Sequence, residues 1–387
     1  MAVPPPDALS LHHHPEESHP VNTPDHESTT MSTALGRTDD ATRRTPAEPP
    51  AIREPRHVPL AHVVRGGAIE GVHHGSVVVL AADGRVAFQT GDIDVAFYPR
   101  SALKPVQAVA LLRAGLPLDG ELLSLTAASH SGQPRHLDGA RRILDRAGLT
   151  EDDLRNTPDL PYGAAERDAW LRDGGEPTRL AQNCSGKHAA MLLTAQLRGW
   201  PLRDYLDPAH PLQRVIAETV ADLTGQGIAR VSVDGCGAPL FSVSLRGLAT
   251  AAARIASGAM DTPEGRVAAA LRAHPDMASG TDRDVARLMR AVPGLIAKDG
   301  FEGVQIAALP DGRAVAVKIA DGADRARMPV TAAALAHCGI DPGALAEFAT
   351  TPVYGGGAAV GGVHPTDVLA QPTPDPLFPG TKEDRTP

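Results

Sequence analysis

Past a polar opening stretch, the hydrophobic positions of this chain fall into short runs and alternations first and helical stripes later. Ser76-Val-Val-Val-Leu80, the turn Ala81-Ala-Asp-Gly84 and Arg85-Val-Ala-Phe88 predict two antiparallel strands joined at Asp-Gly. Asp94–Tyr98 predicts another short strand, and Pro99-Arg100 then turns the chain. Val106, Val109, Ala110 and Leu112 recur on one face, which predicts a helix from Ser101 to about Gly115. Between about Asp119 and Leu223 the pattern is mostly helical, broken at Gly148, Gly174, Gly199 and Pro208–Pro211. Val231–Asp234 predicts a buried strand that runs into a Gly235-Cys236-Gly237 turn, with helices after it to about Met289. Gly303–Leu309, Pro310-Asp-Gly312 and Arg313–Ile319 predict a second hairpin, and Pro329 to Cys338 a late helix. There is no internal repeat. Hairpins at both ends with helices between predict an α/β (α+β) fold: an antiparallel sheet flanked by helices, with a helical subdomain.

The two ends differ from this middle. Residues 1–56 are rich in Pro, Thr, His, Glu and Arg with almost no periodic hydrophobes, so they are expected to be a disordered tail. Residues 57–364 form the expected folded domain, and the proline-rich residues 365–387 a second tail. His12–His14 would bind metal weakly at best and read as solvated tail. A hydrophobic content of 42% with only 3% aromatics implies a core of Ala, Val and Leu and no aromatic platform for bases. A net charge of −9 and a pI near 6.0 argue against nucleic acid and anionic membranes as partners and favour a small molecule. No run reaches the roughly 18 apolar residues a spanning helix needs, and no secretion signal is present, so a cytoplasmic location is expected. Three cysteines, Cys184, Cys236 and Cys338, are too few for a disulfide framework and suit a reducing compartment.

The charge inventory changes the picture. Of 37 lysines and arginines only five are lysine: Lys104, Lys187, Lys298, Lys318 and Lys382. Arginine stays protonated in a protein, whereas an amine turns into a neutral base or ligand when desolvated, so a retained lysine is a candidate for chemistry. Lys318 and Lys382 read as surface residues. In Ser101-Ala-Leu-Lys104, positions i and i+3 share a helical turn, where Lys104 could serve Ser101 as a base. Ser129-His130-Ser131 offers a second catalytic serine or a helix cap. Ala297-Lys298-Asp299-Gly300 would bring another amine to a sheet edge. Cys184-Ser-Gly-Lys187-His188 and Asp234-Gly-Cys236 could meet at one metal, and tetrahedral preference points to Cys184, His188 and Cys236 with a water.

These motifs resemble the bacterial L-asparaginase II family of the Rhizobium etli type. The stretches that carry the resemblance are Tyr98-Pro-Arg-Ser-Ala-Leu-Lys104-Pro-Val-Gln-Ala, Ala128-Ser-His-Ser-Gly132, Asn183-Cys-Ser-Gly-Lys-His-Ala-Ala-Met191, Asp234-Gly-Cys-Gly-Ala-Pro239 and Ala297–Gly300, within about Pro59 to Ala344. The resemblance implies a fold similar to serine β-lactamases and serine-dependent glutaminases, a homodimer, and hydrolysis of L-asparagine to aspartate and ammonia. It implies one Ser101–Lys104 pair and one Ser129–Lys298 pair, with Ser131 the alternative second serine. Arg100, Asp234 and His188 would contact substrate. It implies zinc held by Cys184, Lys187 and Cys236, which replaces His188 by Lys187 in the ligand set. Glutaminase, another Ser-x-x-Lys hydrolase of the β-lactamase kind and a non-catalytic ligand sensor are the alternatives. The long N-terminal tail departs from the family pattern.

Overall fold

The computed structural model describes residues 53–370. The chain opens with a hairpin that the hydrophobic pattern does not announce: β1 (Val58–Arg65) turns at Gly66-Gly67 into β2 (Ala68–Leu80). Both glycines have positive φ, +56° and +82°, a turn geometry that a side chain resists. β3 (Val86–Thr90) is the returning strand expected after Asp83-Gly84. Four short strands follow: β4 (Ala96–Phe97), β5 (Val231–Val233), β6 (Pro239–Phe241) and β7 (Val243–Ser244). They form two small ladders, β4 with β7 and β5 with β6. β5 is exposed at every residue, where a buried strand was expected, because it lies on β6 with nothing packed over it among the described residues.

β8 (Ile296–Gly300), β9 (Val304–Ala308), β10 (Ala314–Ile319), β11 (Thr351–Gly355) and β12 (Ala358–Pro365) complete the strands. Among the described residues the main sheet has eight strands, all antiparallel, in the order β11-β12-β1-β2-β10-β9-β8 with β3 beside β2. β2 is long enough to serve two neighbourhoods: its first half pairs with β1, and its second half lies between β10 and β3. The sheet therefore curls.

The helices are α1 (Lys104–Arg113), α2 (Gly120–Thr126), α3 (Pro134–Arg146), α4 (Ala164–Arg172), α5 (Ser185–Arg198), α6 (Pro211–Thr224), α7 (Leu245–Ala256), α8 (Pro263–Ala273), α9 (Pro275–Ala278), α10 (Asp284–Ala291), α11 (Asp324–Ala336) and α12 (Pro342–Leu345). β9 is buried throughout and β10 everywhere except Lys318, so the central strands are covered on both faces. α7 lies on β2, β9 and β10 and leads into α1, α6 and α8, while α11 packs on β9, β10 and β12. α5 is buried from Ser185 to Ala195, its polar side chains Ser185, Lys187 and His188 included. The core is built from Ala, Val and Leu, each large aliphatic side chain contributing about 1.5–3 kcal/mol over exposure. The fold is thus a mixed α/β one, an antiparallel sheet with helices.

α11 begins at Asp324 and carries Pro329 within it, five residues before the expected start. β11 and β12 were not anticipated, and the chain continues from them into a 3₁₀ turn at Asp367–Leu369 with Leu369 buried. At the other end, Arg53 pairs with Asp92 at 2.9 Å. The rest of both expected tails, including His12–His14 and Lys382, lies outside the described residues. Among the described residues no helix is long and apolar enough to cross a membrane.

Candidate active site

Ser101 does not cap a helix. It sits in a 3₁₀ turn, Arg100–Leu103, that precedes α1, and Arg100 takes a left-handed φ of +52°. A non-glycine residue in that region costs roughly 1–2 kcal/mol and persists only when its surroundings hold it. Two contacts do so: the Arg100 guanidinium donates from Nε to Asp234 Oδ1 at 2.7 Å and lies over the Phe301 ring at 5.3 Å. The turn is pressed against the end of β8, where a Cβ on Gly300 would meet the Pro99 carbonyl oxygen at 2.4 Å. Glycine is required there by space, not by φ. The edge strand thereby lies directly against the serine turn.

Three lysines lie behind this turn, each almost fully buried. Lys104 Nζ donates to the Ala128 carbonyl at 2.5 Å and to Ser129 Oγ at 3.0 Å. Its amine thus reaches the second serine, whereas Ser101 Oγ has no hydrogen-bond partner among the described residues. That pairing differs from the expected Ser101–Lys104 and Ser129–Lys298 pairs. Ser101 lies in the 3₁₀ turn and α1 starts at Lys104 itself, whose amine is engaged by the Ala128–Ser129 segment. Lys298 donates to the Asp299 backbone oxygen at 2.8 Å and also bonds the Asp299 carboxylate. Burial lowers Lys298 to about 8 against the pull of Asp299, with Lys104 adding to the lowering. Burial also works to raise Asp299, but Lys298 and Arg283 outweigh it and hold the carboxyl far below its usual range. Arg283 donates to Asp299 Oδ2 at 2.9 Å and stacks over Tyr162 at 4.6 Å.

Ser129 is nearly buried, and its backbone is tied to Ala278. Ser131 gives its hydroxyl to the Ser279 carbonyl at 3.1 Å. His188 is fully buried in α5, with Nδ1 2.8 Å from the Tyr205 hydroxyl and Nε2 unpartnered.

Cys184 stands at the N-terminal boundary of α5 and Lys187 three residues on, in its first turn. Both meet Cys236, which follows β5, in a buried cluster where Lys187 Nζ is 3.3 Å from Cys236 Sγ. Cys236 and burial push the Cys184 thiol up to about 12. Cys184 in turn holds Cys236 well below the usual thiol range, against burial and with help from Lys187. Burial opposes the charge on Lys187, but the two sulfurs and Asp234 outweigh it and keep the amine protonated. Among the described residues no three His, Cys, Asp or Glu side chains gather as a metal site. The donor set here has only two such residues, and its third member is an amine. Two sulfurs and a nitrogen converging in a buried cluster fit a borderline-soft divalent ion such as zinc, which would displace the two protons now held there.

A cavity of about 300 Å³ opens onto these groups. Of the residues expected from sequence, Arg100, Ser101, Ser129, Cys184, Asp234 and Cys236 line it. Lys104, Lys187 and Lys298 stand behind that wall, and His188 and Ser131 are not part of it. The wall also contains Asp159, Tyr162, Arg167, Gln182, Asn183, Asp299 and Phe301, none of which the sequence reading picked out as site residues. Asp299 and Asn183 were within reach, since each adjoins a motif. The segment from Asp159 into the start of α4 at Arg167 carried no local signature, being far from any motif.

The arrangement is that of a mixed α/β protein with two serines at one cavity and three buried amines behind them. The chain belongs to the L-asparaginase II family, whose model matches residues 61–365. No curated protein matches it significantly. Among solved structures it is similar to a β-lactamase from Mycobacterium bovis at 15% identity, covering 71% of this chain and 95% of that one with a TM-score of 0.39. It is also similar to Mglu in its native form, at 19% identity over 65% of this chain and 59% of that one, TM-score 0.29. Mglu in its L-glutamate binding form gives 18%, 65%, 55% and 0.29 for the same quantities. The match spans 55–62% of the length of the Mglu chains.

Proposed function

We propose that this protein is an amidohydrolase that converts L-asparagine to L-aspartate and ammonia, with the cavity between Ser101, Ser129 and Asp234 as its active site. One observation carries the reading: two serine side chains border a single small cavity, and a buried lysine amine is hydrogen-bonded to one of them at 3.0 Å. Membership of the L-asparaginase II family supports it. The motif match extends the proposal to the Rhizobium etli type and to its homodimer. The buried free cysteines are in keeping with a cytoplasmic setting.

In this reading the unengaged Ser101 Oγ attacks the side-chain amide carbon. Its proton passes through Ser129 to Lys104, and Lys104 returns it to the leaving ammonia. Water then hydrolyses the β-aspartyl ester on Ser101 with the same groups acting in reverse. The Lys298 cation, fixed by Asp299, favours the charge that develops in each step. Arg100 and Asp234 hold the substrate beside the serine turn, and His188 braces α5 through Tyr205. Zinc is assigned to Cys184, Lys187 and Cys236, where it would supply a Lewis-acidic anchor for the substrate beside the serines.

Ammonia release from L-asparagine and from L-glutamine by purified protein tests the reading, before and after treatment with a chelator. Release from asparagine is expected, with a raised KM after chelation. Turnover of glutamine alone would move the assignment to a glutaminase, and silence on both amides to a ligand sensor.

A further inference from the structure

The charged groups on the cavity wall divide into two kinds. Arg100 is neutralised by Asp234 at 2.7 Å, and Asp299 is shared between Lys298 and Arg283. Asp159 and Arg167 also line the cavity, yet neither takes part in an ion pair among the described residues.

Both residues are nonetheless held in place. Asp159 forms an isolated β-bridge with Thr178, and its Oδ1 accepts from the Leu160 backbone at 2.8 Å, leaving Oδ2 without a partner among the described residues. Arg167 lies in the first turns of α4, where Nε donates to the Pro161 carbonyl at 3.1 Å. That bond fixes the plane of the guanidinium and leaves both terminal nitrogens without a partner among the described residues, a fork that donates to a carboxylate in bidentate fashion. The segment that runs from Asp159 into α4 is tied to Ser131, because the Gly163 amide donates to the Ser131 carbonyl at 2.9 Å.

We infer that Arg167 and Asp159 are the specificity residues that bind the α-carboxylate and the α-ammonium of the amino-acid amide and so place its side-chain amide at Ser101. The inference rests on the reading of the site as an amino-acid amidohydrolase. A carboxylate acceptor and a guanidinium fork lining one cavity match the two ends of a zwitterion, and a simple amide would leave both unpaired.

The test compares three amides on the wild type and on Arg167→Gln and Asp159→Asn: asparagine, β-alaninamide, which lacks the α-carboxylate, and succinamate, which lacks the α-ammonium. Where a truncated amide is turned over too slowly to follow, its Ki against asparagine hydrolysis replaces kcat/KM. Loss of a hydrogen bond to a charged group is expected to lower kcat/KM about 10- to 100-fold, chiefly through KM. Arg167→Gln should show that loss with asparagine and succinamate and almost none with β-alaninamide. Asp159→Asn should show it with asparagine and β-alaninamide and almost none with succinamate. Equal losses on all three amides, or none on asparagine, would overturn the inference, and the unaffected amide in each series reports that the variant is folded. A wild type inactive on asparagine would instead sink the functional reading on which this one stands.

Discussion

Lys298 shows how one buried side chain sets a measurable property of the site. Its amine is lowered to about 8 by burial, with Asp299 resisting. If its cation supports the transition state, kcat/KM falls as pH rises through about 8, because the charge is lost there. Lys298→Arg keeps the charge at all these pH values, so the variant should lack that alkaline limb. An unchanged limb would assign the ionisation elsewhere. Lys104 belongs to the same scale. Lys104→Met removes the amine hydrogen-bonded to Ser129 and should reduce kcat by about 10²–10⁴-fold, the usual range for a proton-transfer group. Much of this was legible in sequence, since a chain that replaced nearly all its lysines by arginine kept Lys104, Lys187 and Lys298, and all three are buried at the site. What the sequence did not reveal was which serine Lys104 reaches. The spacing i, i+3 brings Lys104 near Ser101 in a 3₁₀ or an α turn alike, and the serine it bonds comes from a segment 25 residues further along the chain.

Among the elements, β8 and the 3₁₀ turn make the decisive contact. Gly300→Ala would drive a methyl into the Pro99 carbonyl. The shift needed to relieve it should cost about 1–3 kcal/mol. A displacement of the serine turn by about 1 Å would lower kcat/KM roughly 100-fold. Thermal unfolding and steady-state kinetics on the same sample check both, and an unperturbed variant would show that strand and turn are not in contact. The strands most visible in sequence were those with dense β-branched runs, the second half of β2 and β9–β10. β1, β11 and β12 escaped notice because their runs are interrupted by Pro, Gly and His; β1 and β12 are joined by a ladder between segments distant in sequence, and β11 by a local hairpin with β12. Ala297–Gly300 was expected at a sheet edge but not as a strand, because its sequence carries a lysine, an aspartate and a glycine, the very residues the site places on β8.

At the scale of the molecule, a buried charge network joins the sheet to α10 and α11. Arg327 on α11 bonds Asp284, Asp324 and Gln305, and Arg283, beside Asp284, holds Asp299 on β8. Asp299 is held below its usual range in the folded state, so as pH falls the unfolded chain takes up its proton first. The stability it contributes is therefore present above about pH 4 and lost below it. Asp299→Asn should cost about 3–5 kcal/mol at pH 7, since it leaves Lys298 and Arg283 without their shared carboxylate. The gap between variant and wild type should narrow as pH drops below about 4, and a gap independent of pH would contradict the network. The central claim, that this cavity hydrolyses asparagine through an ester on Ser101, is tested most directly by acid-quenching the enzyme during turnover and weighing its proteolytic peptides. The account predicts a β-aspartyl group on the peptide bearing Ser101 and none in Ser101→Ala. An ester on Ser129, or a Ser101→Ala enzyme that still releases ammonia at the wild-type rate, would contradict it.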